Sequence, residues 1–305
     1  MPKKHDSLLV SAMELRILRY FLAVAKEETI SGAAELMNVT QPTLSRQLME
    51  LEEELGKRLF IRGNRKITLT EEGHYLRKRA EEILDLADKT KSDLQTSDEF
   101  LCGDVFIGGG ETDAMRLIAK TIKDMNLAYP KIRYHLFSGN ADDVTEKLDM
   151  GLIDFGLLIE PVDKEKYAYL RLPAMDTWGL LMRKDSPYAK LDNITPKDLT
   201  SLPLLCSRQT MVNDELSNWF GKDFDKLNIV STYNLLYNAS IMVEEGVGYA
   251  LCLDRLVNTT GKSKLCFRPL YPKLECGLVM VWKKNQIFSR ACEQFLNMLQ
   301  DKYLV

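Results

Sequence analysis

No stretch of the 305-residue chain approaches the ~20 consecutive apolar residues that a membrane-spanning helix needs. The first twelve residues, "MPKKHDSLLVSA", hold two lysines but only three apolar residues in a row, too few for the core of a secretory signal. Cysteine is sparse: the six (Cys102, Cys206, Cys252, Cys266, Cys276, Cys292) form no CxxC pair, which argues against a zinc module and against a small disulfide scaffold. They read as reduced thiols used as small apolar groups. Histidine is scarcer still, and His5, His74 and His135 have no ligand spacing to one another, so no metal and no cofactor are expected. No nucleophile is paired with a base, and no enzyme activity is expected. Repeats and low-complexity tracts are missing too. What remains is the composition of a globular cytoplasmic protein with material for two or three domains.

An excess of positive charge is also missing, since the net charge is -3. Its distribution matters more than its sum. Between Gly56 and Thr70 stand five bases (Lys57, Arg58, Arg62, Arg65, Lys66) and no acid, directly after the acidic run "LMELEEEL". A local basic strip is what binding a phosphate backbone requires.

Residues 14–27, "ELRILRYFLAVAKE", place Leu15, Leu18, Leu22 and Ala25 on one stripe and predict a first helix. A short helical segment, "SGAAELMNV", follows, with Ser31 the expected N-cap and Ala33 and Ala34 small enough for close packing. A third helix, from about Thr40 to Leu55, carries Leu44, Leu48, Leu51 and Leu55 at steps of four, three and four. Pro42 is tolerated only because it falls in the first turn, and Gly56 is the expected C-terminal stop. "KRLFIRGNRKITLT" reads as a β-hairpin with bases at its tip.

Thr70 to about Ser97 reads as a long helix, roughly 40 Å at 1.5 Å per residue. Leu76, Ala80, Ile83, Ala87, Thr90 and Leu94 alternate steps of four and three, as a coiled-coil seam between two chains would. From Leu101 the rhythm changes to strand–helix alternation, which predicts βαβ units with a mostly parallel sheet. A second such set follows Pro161, giving two α/β lobes with a cleft between them. The expected divisions are 13–69 for a winged helix-turn-helix, 70–97 for a linker helix, 101–161 with 273–305 for lobe I, and 162–272 for lobe II. Met13 opens "MELRILRYF", which makes residues 1–12 an extension or marks an upstream start.

With Leu44 as the buried direction, Pro42, Arg46 and Met49 point away from the core and Ser45 lies on the flank, while Gln41 sits in the first turn. A protruding helix end offering Gln, Ser and Arg suits a DNA major groove, where Gln pairs with adenine and Arg with guanine. Arg62, Arg65 and Lys66 on the hairpin would track phosphates or a minor groove.

The run "AAELMNVTQPTLSRQLMELEEELGKRLFIRGNRKITLTEEGHYL", with the elements around it in residues 13–97, resembles the N-terminal domain of the LysR-type transcriptional regulators. The order that follows also agrees, including "LDMGLIDFGLL" and "IMVEEGVGYAL". The resemblance implies a mixed α and α/β fold: a winged helix-turn-helix, a long linker helix, and a two-lobed effector domain like a type 2 periplasmic binding protein. It implies DNA contacts at Gln41, Pro42, Thr43, Ser45, Arg46 and Arg65, and effector contacts at Gly110, Glu111, Thr112, Ser138, Asn140, Ser207 and Arg208. Its implied partners are double-stranded promoter DNA, an unidentified small-molecule effector, RNA polymerase and a second copy of the chain, in dimers or tetramers built from dimers. The setting it implies is the bacterial cytoplasm, at the nucleoid.

Thr112 is expected to start a helix whose free N–H groups suit a carboxylate, although Glu111 works against an anionic effector. "GGGETD" after a strand invites a dinucleotide-loop reading, but the last glycine of GxGxxG is missing. Some members of the resembled family sense peroxide with two nearby cysteines in the second lobe. Here Cys206 has no cysteine near it in sequence until Cys252.

Overall fold

The computed structural model describes residues 13–63, 66–94, 101–208 and 214–304. The chain forms two compact units, divided after Leu94.

The first unit begins with three helices, α1 (Leu15–Glu27), α2 (Ile30–Leu36) and α3 (Gln41–Leu55). Their inward stripes meet in one core in which Phe21, Val24, Ala33, Leu44 and Leu51 are fully buried. Burying each large apolar side chain in such a core contributes about 1.5–3 kcal/mol. Glu28, at φ 55°, ends α1 abruptly, and Thr29 caps α2 by accepting from the Gly32 amide, so the expected cap at Ser31 lies two residues too far along. Asn38, at φ 52°, reverses the chain before α3, a left-handed conformation that asparagine tolerates better than most residues. Pro42 stands in the first turn of α3, and Gly56, at φ 60°, closes its C-terminus.

Strands β1 (Phe60–Arg62) and β2 (Ile67–Leu69) form the hairpin, pairing Phe60 with Leu69 and Arg62 with Ile67. Glu52 fixes its base by accepting from the amides of Leu59, at 2.6 Å, and Phe60, at 3.2 Å. Helix α4 (Glu71–Leu94) follows, with Thr70 capping it through the Gly73 amide. Gly73 has to be glycine, because a Cβ there would lie 2.2 Å from the Leu59 carbonyl oxygen.

Helix α4 departs from the expected two-chain seam. Leu76 and Ala80 are buried with Leu84 in the core of their own unit, where α4 packs on α1 and Asp88 pairs with Arg19. Ala87 is half-buried. The apolar residues left outside are Ile83, Leu86 and Leu94, exposed by 39%, 42% and 80%. The two stripes differ because the first half of α4 belongs to the winged-helix core, so an outward seam can begin only at Ile83.

The second unit is built on one nine-stranded sheet. Its first half contains β3 (Cys102–Gly109), α5 (Met115–Ala128), β4 (Lys131–Ser138), α6 (Ala141–Asp149) and β5 (Phe155–Ile159). A long strand, β6 (Tyr167–Arg183), leads into α7 (Pro196–Leu199), β7 (Leu204–Ser207), α8 (Asp214–Phe220), β8 (Ile229–Tyr233), α9 (Leu236–Glu244), β9 (Tyr249–Leu253) and β10 (Leu265–Pro269). The chain then returns through β11 (Glu275–Lys283) to α10 (Arg290–Tyr303). The strand order is β4-β3-β5-β11-β6-β9-β7-β8, with β10 paired to β6.

The sheet is mixed rather than mostly parallel. β3 pairs parallel with β4 and β5, and β7 with β8 and β9, but β11 runs antiparallel to β5 and β6, as β6 does to β9 and β10. β6 serves both halves. Leu170 and Leu172 pack in the first core, whereas Leu180 and Met182 pack in the second. The passage between halves therefore lies within this strand, not at the expected division after residue 161. Along β6, β7 and β9 alternate residues enter cores on opposite faces: Leu180, Cys206 and Leu251 on one, Leu181, Leu205 and Cys252 on the other. Burial on both faces is why these strands read as continuous apolar runs.

Candidate nucleic-acid interface and ligand cleft

In the first unit the residues opposite the Leu44–Leu48–Leu51 stripe form a polar, exposed helix end. Gln41, Pro42 and Arg46 are exposed, and Thr43 and Ser45 are half-buried beside them. The Thr40 and Thr43 hydroxyls are hydrogen-bonded at 2.8 Å, which closes the first turn. The Arg46 side chain is 69% exposed, and its nearest acid, Glu50, is 3.7 Å away, a loose pair that a stronger anion would displace.

Two bases of the strip have partners contributed from elsewhere in the fold. Lys66 pairs with Glu28 at the end of α1, and Lys57 with Glu72 in α4 at 3.4 Å. Both pairs are exposed and weak. Arg62 ends β1, and Gly63 donates to the Lys66 carbonyl at 3.0 Å across the tip. Arg65 lies outside the described residues.

In the second unit a cavity of about 80 Å³ lies where strand ends converge. Gly110 and Glu111 follow β3, Gly139 and Asn140 follow β4, Ile159 ends β5, Ser207 ends β7, Tyr233 ends β8 with Asn234 just after it, and Leu253 ends β9. These are carboxyl ends of strands, the place where open α/β sheets present ligand sites. Trp178, from the stretch of β6 between the two halves, completes the wall with Leu236, Cys252 and Leu256.

Of the residues expected to contact a ligand, Gly110, Glu111, Asn140 and Ser207 line this cavity. Asn140 also caps α6, accepting from the Asp143 amide at 3.0 Å. Thr112 and Ser138 line instead a neighbouring, more open groove together with Arg255. Arg208 is exposed just past β7 and is not part of the cavity wall.

The expected free N–H groups at Thr112 are already engaged. Helix α5 starts only at Met115: the Ala114 amide donates to the Thr112 hydroxyl at 3.0 Å, and the Met115 amide to the Thr112 carbonyl at 3.2 Å. The Thr112 hydroxyl donates in turn to Asp176, a buried carboxyl on β6. Burial raises Asp176 above the ordinary aspartate value, with the Thr112 hydrogen bond and the nearby Arg255 opposing.

Trp178, Tyr233, Leu236 and Leu253 were not visible as cavity residues in the sequence, because aromatic and aliphatic residues in strands and helices read equally well as core. The convergence of strand ends is the signal that would have found them. Among the described residues, no group of three or more His, Cys, Asp or Glu could hold a metal ion, and no helix is long and apolar enough to cross a membrane.

Comparison with known proteins adds three findings. A family model described as "Bacterial regulatory helix-turn-helix protein, lysR family" matches residues 15–74, and one described as "LysR substrate binding domain" matches residues 99–303. The Hca operon transcriptional activator HcaR of Escherichia coli is 28% identical over 95% of this chain and 98% of its own. The hydrogen peroxide-inducible genes activator of Dickeya chrysanthemi is 30% identical over 95% of each chain. Among solved structures, full-length CbnR complexed with its target DNA superposes with a TM-score of 0.74 over 95% of this chain and 99% of that one, at 19% identity, a likeness of fold.

Proposed function

Because the chain belongs to the LysR family of transcriptional regulators, we propose that α3 enters the major groove of promoter DNA and that the cavity of the second unit receives the controlling small molecule. The observation that carries the first part is the exposed end of α3, where Arg46 stands opposite a fully buried leucine stripe and Gln41 is exposed in the first turn. Gln41 and Arg46 read base edges, Pro42, Thr43 and Ser45 shape the approach, and Arg62, Arg65 and Lys66 hold the adjacent backbone. Glu28 and Glu72 keep Lys66 and Lys57 paired until phosphates replace them. CbnR, whose fold this chain shares, crystallises with its target DNA, which supports the same use here.

The functional molecule in this reading is a dimer joined along the outer stripe of α4, Ile83–Leu86–Leu94, and it meets a two-fold-related operator. Pairing of dimers into tetramers and contact with RNA polymerase belong to the same reading, as does work at the nucleoid in the bacterial cytoplasm. The effector acts by favouring one arrangement of the oligomer, since a ligand binding all arrangements equally shifts nothing.

A thiol switch is the alternative that a peroxide-responsive relative invites. Cys206 and Cys252 argue against it: they face cores on opposite sides of the sheet, and burial pushes the Cys206 thiol up to about 12 and Cys252 higher still. Neither carries the thiolate that peroxide chemistry needs.

The test is the affinity of full-length protein for the DNA upstream of its own gene. Arg46→Ala is expected to weaken binding by ~1–3 kcal/mol and to relax preference at one base pair, while Lys66→Ala weakens all sequences about equally. Unchanged promoter affinity in Arg46→Ala, with unchanged circular dichroism, would overturn the assignment.

A further inference from the structure

Helix α9 starts on the cavity wall without a cap from its own sequence. Its N-cap residue is Leu235, which has no capping side chain, and there is no acid in its first turn. Asn234 reaches only the Leu235 amide, at 3.0 Å. The Leu236 amide is satisfied from across the cleft, where it donates to the carboxylate of Glu111, 125 residues earlier in the chain. Glu111 follows β3 of the first half, whereas Leu236 packs in a core of the second. One carboxylate thus joins the two walls of the cavity.

A helix N-terminus opening into a cavity is a ready seat for an anion. Here the protein's own carboxylate occupies it. Among the described residues of the cavity wall there is no lysine, arginine or histidine, and the other polar groups, Asn140, Ser207 and Asn234, are neutral. A ligand carboxylate would therefore meet a fixed negative charge, a helix end already capped, and no compensating base. An ammonium group meets the opposite: a carboxylate to pair with and the rings of Trp178 and Tyr233 to receive its apolar body. About 80 Å³ corresponds to roughly five to eight water-sized sites, room for a small molecule only.

We infer that Glu111 is a built-in anionic cap of α9 that makes this cleft select a small cationic amine and reject carboxylates of the same size. The inference rests on reading the cavity as the effector site. Glu111 acts twice in it, as the counter-charge of the amine and as the clasp between the two halves of the unit.

The experiment is thermal unfolding of the full-length chain with three probes matched in size, n-butylamine, butyrate and n-butanol, at equal ionic strength. Butylamine is expected to raise the melting temperature of the wild type and butyrate to leave it unmoved. Glu111→Ala uncaps α9, so butyrate is expected to bind it about 10-fold tighter than the wild type, a gain of about 1.4 kcal/mol, while the amine loses its effect. Glu111→Gln keeps an oxygen for the Leu236 amide without the charge, and is expected to lose the amine effect and remain as well folded as the wild type.

Butyrate stabilising the wild type as well as butylamine does would overturn the inference, as would a wild type unmoved by butylamine or no gain for butyrate in Glu111→Ala. Ser207→Trp, which fills the cavity, separates this failure from that of the parent reading. Shifts favouring butyrate that vanish in Ser207→Trp leave the effector site in place and sink only the role of Glu111. Shifts that persist in Ser207→Trp put the ligand elsewhere, and the cleft reading falls as well.

Discussion

The two units put their working residues in opposite places. In the first, the apolar residues of three helices converge on one core, and the side chains proposed to face DNA stand outside it, at the exposed end of the helix that carries Leu44, Leu48 and Leu51. In the second, the side chains proposed to face a ligand line a gap left where six strand ends meet, and nearly half of the lining residues are aromatic or aliphatic. A nucleic-acid duplex is larger than the domain that reads it and has to be met on the surface. A small molecule has to be surrounded, so its site is made of the same material as the core.

That contrast can be broken first at the core of the outward-facing unit. Leu48→Ala removes a nearly fully buried side chain from the middle of α3 and should cost about 2–5 kcal/mol. Calorimetry on the full chain is expected to show the transition of the first unit moved to lower temperature, with promoter binding lost when it melts and the transition of the second unit unchanged. A single transition shifted as a whole would show that the units do not melt separately.

A smaller effect is expected on the outer stripe of α4. Leu86→Glu, with Leu86 42% exposed, should leave the winged-helix core intact and shift the proposed dimer toward monomer in sedimentation experiments, weakening operator binding without changing base preference. The same change at Leu76 or Ala80 would instead unfold the first unit, since both are buried within it.

The smallest effect concerns Asp176. Because burial raises its carboxyl in the folded state, folding opposes its ionisation. Its contribution to stability is fully present below the unfolded value of about 3.9 and is lost as pH rises through the folded value. Asp176→Asn, which keeps an oxygen for the Thr112 hydroxyl, should raise the melting temperature slightly at pH 7 and leave it unchanged near pH 3. A loss of stability at pH 7 would show that the charge itself is needed there.

The same contrast explains what could be read from residue order alone. The first unit was legible because its signals are local: Pro42 and Gly56 bracket α3, a leucine stripe sets its inward face, and whatever lies opposite is available to a partner. Ser31 does not cap α2 because the chain already turns at Glu28, and Thr29, two residues before Ser31, takes the role. The seam on α4 was misread at Leu76 and Ala80 because a single periodicity cannot say whether the covering surface comes from the same chain or from another.

In the second unit the alternation of strands and helices was visible, but its antiparallel returns were not. β10 goes unseen in "KLCFRPLYPK" because its partner in β6 lies about eighty residues earlier and nothing local announces the pairing. Gly110, Glu111, Asn140 and Ser207 were reachable through their resemblance to a family pattern. Trp178 and Tyr233 were not, since only the assembled sheet shows that the middle of β6 and the end of β8 border a void.

The central claim is that an outward helix end backed by a basic hairpin holds duplex DNA through its phosphates as well as its bases. The direct measurement is the affinity of the full-length chain for its upstream duplex across a series of salt concentrations. The account predicts a straight, steep fall of log K with log salt, about 0.9 for each phosphate contacted, and a shallower slope in Lys66→Ala. An affinity indifferent to salt would contradict it.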